Sequence, residues 1–382
     1  MPEIKPNIET FANIKVVGIG GGGGAAVSRM VRSNIRGVDF VAINTDAQDL
    51  HHNPANKKIY IGKTTTKGLG AGMNPEMGRK AAEENSDEIQ EALKGSDMIF
   101  ITCGLGGGTG SGASPIIAGA ARELGALTVA VVTKPFIFEG AQRSRIAEQA
   151  LQELESKVDA IIVVPNERIL QIVDRKIPIM ESFKIVDDVL RQGIQGIAEL
   201  ITVKGEVNVD FADVKNIMKD SGTALMGIGI ASGENRAVEA AKQAISSPLL
   251  ETSIDGASGV LLCITGSPDL SMHEVNEAAK AVTQSADRDA RVIFGVVIDP
   301  DLKDEVRITV IATGFDQSKK FTSIDREKEI FQPQRKSHFF EQVKNEEIRD
   351  EDIKIETKEV ENLDIDDEEE MDIPSFIKKK MM

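Results

Sequence analysis

Tryptophan is missing from this 382-residue chain, tyrosine occurs once, and aromatic residues make up 4% of it. Its cores must therefore be aliphatic. Cysteine is nearly as scarce, with Cys103 and Cys263 alone. Two thiols exclude a disulfide scaffold. Both sit in apolar, strand-like runs, SDMIFITC and GVLLCIT, where a buried and inert thiol is the ordinary outcome. With so few cysteines and no leader-like segment, the chain is expected to be cytoplasmic. Long hydrophobic stretches are absent as well. None approaches the ~20 residues that span a bilayer, so no direct membrane insertion is expected. Basic residues are outnumbered, 45 Lys and Arg against 61 Asp and Glu, for a net charge of −16. No nucleic-acid partner is expected, because neutralising phosphates takes clustered Lys and Arg.

What the chain does have is 41% apolar sequence, enough for at least one sizeable core. Its acidity is local: residues 341–372 carry 16 acidic and 4 basic side chains. The negative charge is therefore chiefly a tail property and not one of the fold.

The first half alternates two patterns. Short, β-branched, almost wholly apolar runs at 14–19, 39–42, 98–102, 128–133 and 160–164 read as strands covered on both faces. Helices are expected over 25–33, 77–94, 115–124 and 140–157. This alternation predicts an α/β fold with a doubly wound parallel sheet, whose functional loops lie at the carboxyl ends of the strands. A long helix follows over 179–203, with Phe183, Val186, Val189, Leu190, Ile194, Ile197, Leu200 and Ile201 near a 3.6 period. At ~37 Å it is the length of a domain and reads as a central strut. A smaller α+β unit follows, with strands at 224–231, 259–265, 292–298 and 306–312 and helices at 234–245 and 272–285. The expected organisation is a nucleotide-binding domain over 1–178, a central helix over 179–205, an α+β domain over 206–317, an acidic linker over 318–370 and a terminal peptide over 371–382. The linker lacks the apolar content to offset its ordering entropy and is expected to be disordered. In the terminal peptide MDIPSFIKKKMM, Ile373, Phe376 and Ile377 have i, i+3, i+4 spacing. Asp372 can cap and Pro374 suits a first helical turn, so this peptide suits a partner's groove.

Two glycine runs carry the chemistry. The first, Gly18-Ile-Gly20-Gly21-Gly22-Gly23-Gly24, follows a strand and precedes a helix, where glycines let backbone approach an anion and free N–H groups face it. Gly18, Gly20 and Gly23 fit G-x-G-x-x-G, and Asp46 stands 23 residues beyond Gly23. On this loop alone a Rossmann-type dinucleotide-binding oxidoreductase is an open alternative. The second run, Gly104-Leu-Gly106-Gly107-Gly108-Thr109-Gly110-Ser111-Gly112, has the same strand-to-helix setting and six glycines in nine positions. A dinucleotide fold uses one phosphate loop. Two on one sheet edge suit a nucleoside triphosphate, with Gly68-Leu-Gly70-Ala71-Gly72 as a lid. No Walker A pattern, G-x-x-x-x-G-K-[ST], occurs in the chain.

The string GGGTGSG at 106–112 is the signature of the tubulin and FtsZ GTPase superfamily, and the chain resembles that family over nearly its whole length. The supporting strings are GGGGG at 20–24, NTDAQ at 44–48, KGLGAG at 67–72, VTKPFIFEGAQR at 132–143, NVDFADV at 208–214 and DIPSFIKKK at 372–380. The resemblance implies a tubulin-like fold that binds and hydrolyses GTP, with GDP as product and with Mg²⁺ and a monovalent cation as candidate cofactors. It implies phosphate contacts from Gly21, Gly22, Gly23, Gly24, Gly107, Gly108, Thr109 and Gly110. Ala25, Arg29, Asn44, Gly70, Ala71, Gly72 and Thr133 complete the surroundings of the nucleotide. Glu139 and Arg143 would contact ribose and phosphate, and Asn166, Phe183 and Asp187 the guanine base. An aspartate accepts from guanine's N1–H and exocyclic amine, a pair adenine does not offer. One position departs from the family pattern: Ala25 stands where asparagine is usual, and Arg29 and Asn166 are placed to compensate.

Asn208, Asp210 and Asp213 are the catalytic candidates. Taken alone, two acids at i, i+3 are a helix-start pattern. Their position past the far end of the strut puts them on the order of 30–40 Å from Phe183 and Asp187. Across that distance they cannot serve their own copy's γ-phosphate. They can serve the next copy's if subunits stack head to tail into a filament. The resemblance further implies self-assembly into a ring at the mid-cell division site of a bacterium. It also implies membrane-tethering and regulatory division proteins as partners of the terminal peptide.

Overall fold

The computed structural model describes residues 12–170, 178–203, 205–247, 250, 253–300 and 302–315. The predicted linker and the peptide residues Asp372, Ile373, Pro374, Phe376 and Ile377 lie outside the described residues.

The strands are β1 Ile14–Ile19, β2 Val38–Asn44, β3 Lys57–Tyr60, β4 Met98–Gly104, β5 Leu127–Lys134, β6 Ala160–Pro165, β7 Gly222–Ser232, β8 Gly259–Gly266, β9 Arg291–Ile298 and β10 Glu305–Thr313. The helices are α1 Gly20–Arg32, α2 Ala47–His52, α3 Pro75–Glu84, α4 Ser86–Leu93, α5 Gly108–Glu123, α6 Ala141–Glu155, α7 Asn166–Ile169, α8 Ile179–Thr202, α9 Phe211–Met218, α10 Arg236–Ile245 and α11 Met272–Thr283.

All ten strands join one sheet in the order β3-β2-β1-β4-β5-β6-β7-β10-β8-β9. From β3 to β7 every pairing is parallel. The inner strands β1, β4, β5 and β6 are buried along most of their length, β5 along all but its last residue, as parallel sheets between helices require, while the edge strand β3 is largely exposed. Val16, Phe100 and Val129 point into a core shared with α1 and α8. Val17, Ile99 and Ile101 point into the opposite core with α3 to α6. The doubly wound arrangement expected from the alternating runs is therefore present. Beyond β7 the sheet turns mixed: β10 lies antiparallel between β7 and β8, and β9 is parallel to β8. A third aliphatic core separates this half from α10 and α11. The two halves are joined through the sheet itself by three residue pairs, Ala160↔Gly222, Ile161↔Thr223 and Ile162↔Ala224.

The predicted strut is α8, 24 residues long. It buries Val186, Val189, Leu190, Ile194, Ile197 and Leu200. Three helical expectations need correction. The helix expected over 77–94 is two helices, broken where Asn85 turns its side chain to accept from the Gly62 amide at 2.9 Å. The helices expected from 25 and from 115 begin earlier, at Gly20 and Gly108. Glycine lowers helix propensity, which argued for loops. Here packing overrides it, because a side chain would not fit between these helices and the elements packed against them. A Cβ on Gly23 would lie 2.3 Å from the Thr102 carbonyl oxygen, and one on Gly112 would lie 1.9 Å from that of Pro75.

Candidate nucleotide-binding site

Strands β1 and β4 are neighbours, so the helices that follow them start side by side. The N-cap positions of α1 and α5 are Ile19 and Gly107, and neither supplies a side-chain cap. Both helices thus present uncapped first-turn N–H groups, with the positive end of each helix dipole, at one sheet edge. Between them and the start of α8 lies a cleft of about 330 Å³, within the usual size of a small-molecule site.

Its walls include twelve of the predicted residues: Gly21, Gly22, Gly107, Gly108, Thr109, Gly110, Thr133, Glu139, Arg143, Asn166, Phe183 and Asp187. The glycines divide by what surrounds them. Gly23 and Gly112 are small because backbone packs on them. Gly107 has φ −89° and nothing within 4 Å of a Cβ position, and Gly21 meets only the Asp49 carboxylate at 3.8 Å. Neither packing nor backbone conformation calls for glycine at 107. What its missing side chain leaves is room for a ligand to reach the backbone.

The base end of the cleft is more structured. Phe183 is braced edge-on by Phe136, with ring centroids 5.7 Å apart. The Oδ1 atom of Asn166 is buried without a hydrogen-bond partner, an acceptor suited to a ligand N–H. Asp187 accepts from Arg29 Nε at 2.7 Å. Burial pushes the Asp187 carboxyl above the usual range, and the Arg29 hydrogen bond and charge pull it part of the way back. At the other wall Glu139 accepts from the Phe136 amide at 3.0 Å and pairs with Arg143. The same turn is fixed from α7, where Glu167 accepts from the Ile137 amide at 3.1 Å. Ile137 and Phe138 are thereby held outward, 73% and 65% exposed.

The other predicted residues lie off the cleft wall. Gly24 is buried and accepts through its carbonyl from Asn53 Nδ2 at 2.8 Å. Ala25 is exposed, and Arg29 stands behind Asp187. Asn44 donates to Asp49 Oδ2 at 2.7 Å. Gly70 and Gly72 have positive φ, 82° and 55°, with open space around them, and Ala71 is buried against Gly108. Sequence reasoning missed Ile19, Gly104, Leu105, Pro135, Val186 and Leu190, which also line the cleft. Their signal was adjacency to the glycine runs and to Asp187. Asp49, which does not line the cleft, stands near Gly21, and its carboxyl is raised by burial and by the neighbouring Asp46.

None of Asn208, Asp210 and Asp213 lines this cleft. All three are exposed and follow α8. Asp210 caps α9, accepting from the Ala212 amide at 3.2 Å, and Asn208 accepts from the Gly205 amide at 2.7 Å. From Phe183 to Thr202 the helix rises about 28 Å. One copy therefore carries the cleft and the acid pair at opposite ends of α8.

Comparison with known proteins agrees with this geometry. Residues 13–174 match the Tubulin/FtsZ family GTPase domain, and residues 222–316 match the FtsZ family C-terminal domain. An empty FtsZ dimer from M. jannaschii is 47% identical, with a TM-score of 0.77 over 80% of this chain and 89% of that one. A variant of FtsZ from M. jannaschii gives 47% and 0.78 over 80% and 92%. CetZ2 from Haloferax volcanii, in a GTPγS-bound protofilament, shares the fold at 24% identity and a TM-score of 0.68 over 83% and 98%. No such match supports the oxidoreductase alternative, and the second uncapped helix sharing the cleft is the feature a single dinucleotide loop does not account for. The chain belongs to the Tubulin/FtsZ family, binds guanine nucleotides and hydrolyses GTP as that family does.

Proposed function

We propose that this GTPase works as a head-to-tail polymer in which each active site is completed by the next copy. The observation that carries this reading is the separation of the cleft from Asp210 and Asp213 along α8. GTP lies with its phosphates on the first turns of α1 and α5, its ribose by Glu139 and Arg143, and its base against Phe183, Asn166 and Asp187. The neighbouring copy brings Asp210 and Asp213 to orient the attacking water, with Asn208 shaping their loop. Phosphoryl transfer asks mainly for positioning and charge stabilisation, which this arrangement supplies. The exposed Leu69, Ile137 and Phe138 support contact with a second copy on the cleft side, since large apolar side chains rarely crowd a free surface. A heterologous contact of this kind grows filaments unless it closes a ring.

Among the described residues no three His, Cys, Asp or Glu side chains gather to hold a metal ion. A divalent ion would arrive on the nucleotide's own phosphates, where it would offset their charge.

The polymer serves as a ring-shaped scaffold at the cytoplasmic division site, and the terminal peptide around Phe376 docks membrane-tethering and regulatory division proteins. No described helix is long and apolar enough to cross a membrane, so tethering through a partner is the consistent reading. Turnover per molecule should rise with protein concentration and sedimentable protein should appear with GTP but not GDP. Full-rate hydrolysis by a dilute monomer would refute the shared site.

A further inference from the structure

Arg29 and Asp187 come from different helices, α1 and α8, and meet across the base end of the cleft. The contact is a charge-assisted hydrogen bond, Nε to Oδ2 at 2.7 Å, with side-chain exposures of 34% and 13%. Asp187 lines the cleft and Arg29 does not. One carboxylate oxygen is thus occupied from behind while the residue as a whole faces the ligand. We propose that Arg29 is a positioning residue for guanine recognition, acting through Asp187 by fixing that carboxylate's orientation and keeping it ionised. The proposal rests on the reading of Asp187 as the group that accepts from the guanine N–H donors.

The physical need is specific to this site. A buried carboxylate favours its neutral form, and burial does raise Asp187. Protonated, it would put an O–H against the base's own donors and lose the two-acceptor match. Arg29 is the cation opposing this. Among the described residues no other charge near Asp187 is placed to substitute. On α1, Arg32 is one turn away and exposed, and on α8 so is Lys184. Asp188 is turned onto Arg191 and Gln192. Across the cleft, Arg143 is paired with Glu139. Removing the guanidinium therefore leaves burial unopposed. The carboxyl then lies further toward its neutral form than in the parent, so its loss of charge on acidification begins at higher pH.

The test is binding of fluorescently labelled GDP to the full chain between about pH 6.5 and pH 8.5, with thermal melts as the check on folding. The parent should bind with nearly constant affinity. Arg29→Gln should bind about tenfold more weakly than the parent at the acid end, with a smaller deficit at the alkaline end. Arg29→Lys, which keeps the charge, should lie between and vary little with pH. An Arg29→Gln deficit of equal size at every pH would overturn the proposal, as would parent-like binding throughout. Asp187→Asn separates the two claims. If it binds like the parent, the assignment of Asp187 to the base fails. If it loses binding while Arg29→Gln does not, the role of Arg29 alone fails.

Discussion

The hydroxyls of Thr45 and Thr109 meet at 2.6 Å, and both residues are buried. This bond fastens the end of β2 to the first turn of α5, beside the cleft. Thr45→Val keeps the shape and leaves the Thr109 hydroxyl without that partner. The expected loss is about 1–3 kcal/mol, read as a lower melting temperature and as weaker GDP binding. Thr45→Ser should be close to neutral in both.

Two glycines of one run should respond in opposite ways. Gly107→Ala places a methyl in open space at an ordinary φ. Folding should be unaffected, while nucleotide affinity falls about tenfold, or 1.4 kcal/mol. Gly112→Ala drives a methyl into the Pro75 carbonyl and should give little soluble protein. Melting curves paired with nucleotide titration decide both.

Asp213 is the cleaner probe of the shared active site. Its carboxylate is exposed, whereas Asp210 also caps α9, so losing Asp210 costs about 1 kcal/mol of helix stability as well. Asp213→Ala should bind GTP and sediment with it, yet release phosphate at a small fraction of the parent rate. Mixing it with a binding-deficient Gly107 variant should restore part of the turnover at mixed junctions.

The two cysteines should be silent in the folded protein. Burial pushes both thiols up to about 12, far above neutral pH, so almost no thiolate is available to react. Iodoacetamide at pH 8 should leave native protein unlabelled and modify Cys103 and Cys263 after denaturation, as counted by mass spectrometry.

Much of the fold could be read in advance because its signals are local. Apolar runs gave the parallel strands except the short, half-polar β3, and the 3.6 period gave α8 to within a residue of its end. What was illegible depended on contacts distant in sequence. The start of α5 is set by Pro75 and Asn74 closing on Gly112 and Gly108, and no period in the glycine run records that. The split at Asn85 depends on Gly62, and the short α7 and α9 are defined by their surroundings. At the site, motif residues named the cleft walls well. The Arg29–Asp187 contact joins positions 158 residues apart, and only the packing of α1 on α8 brings it about.

The β6–β7 ladder has three residue pairs, fewer than any other in the sheet. Apart from the flanking helices, little backbone bonding stiffens the molecule midway along its sheet. Elastic strain imposed along the sheet would collect at this seam before it reached either core.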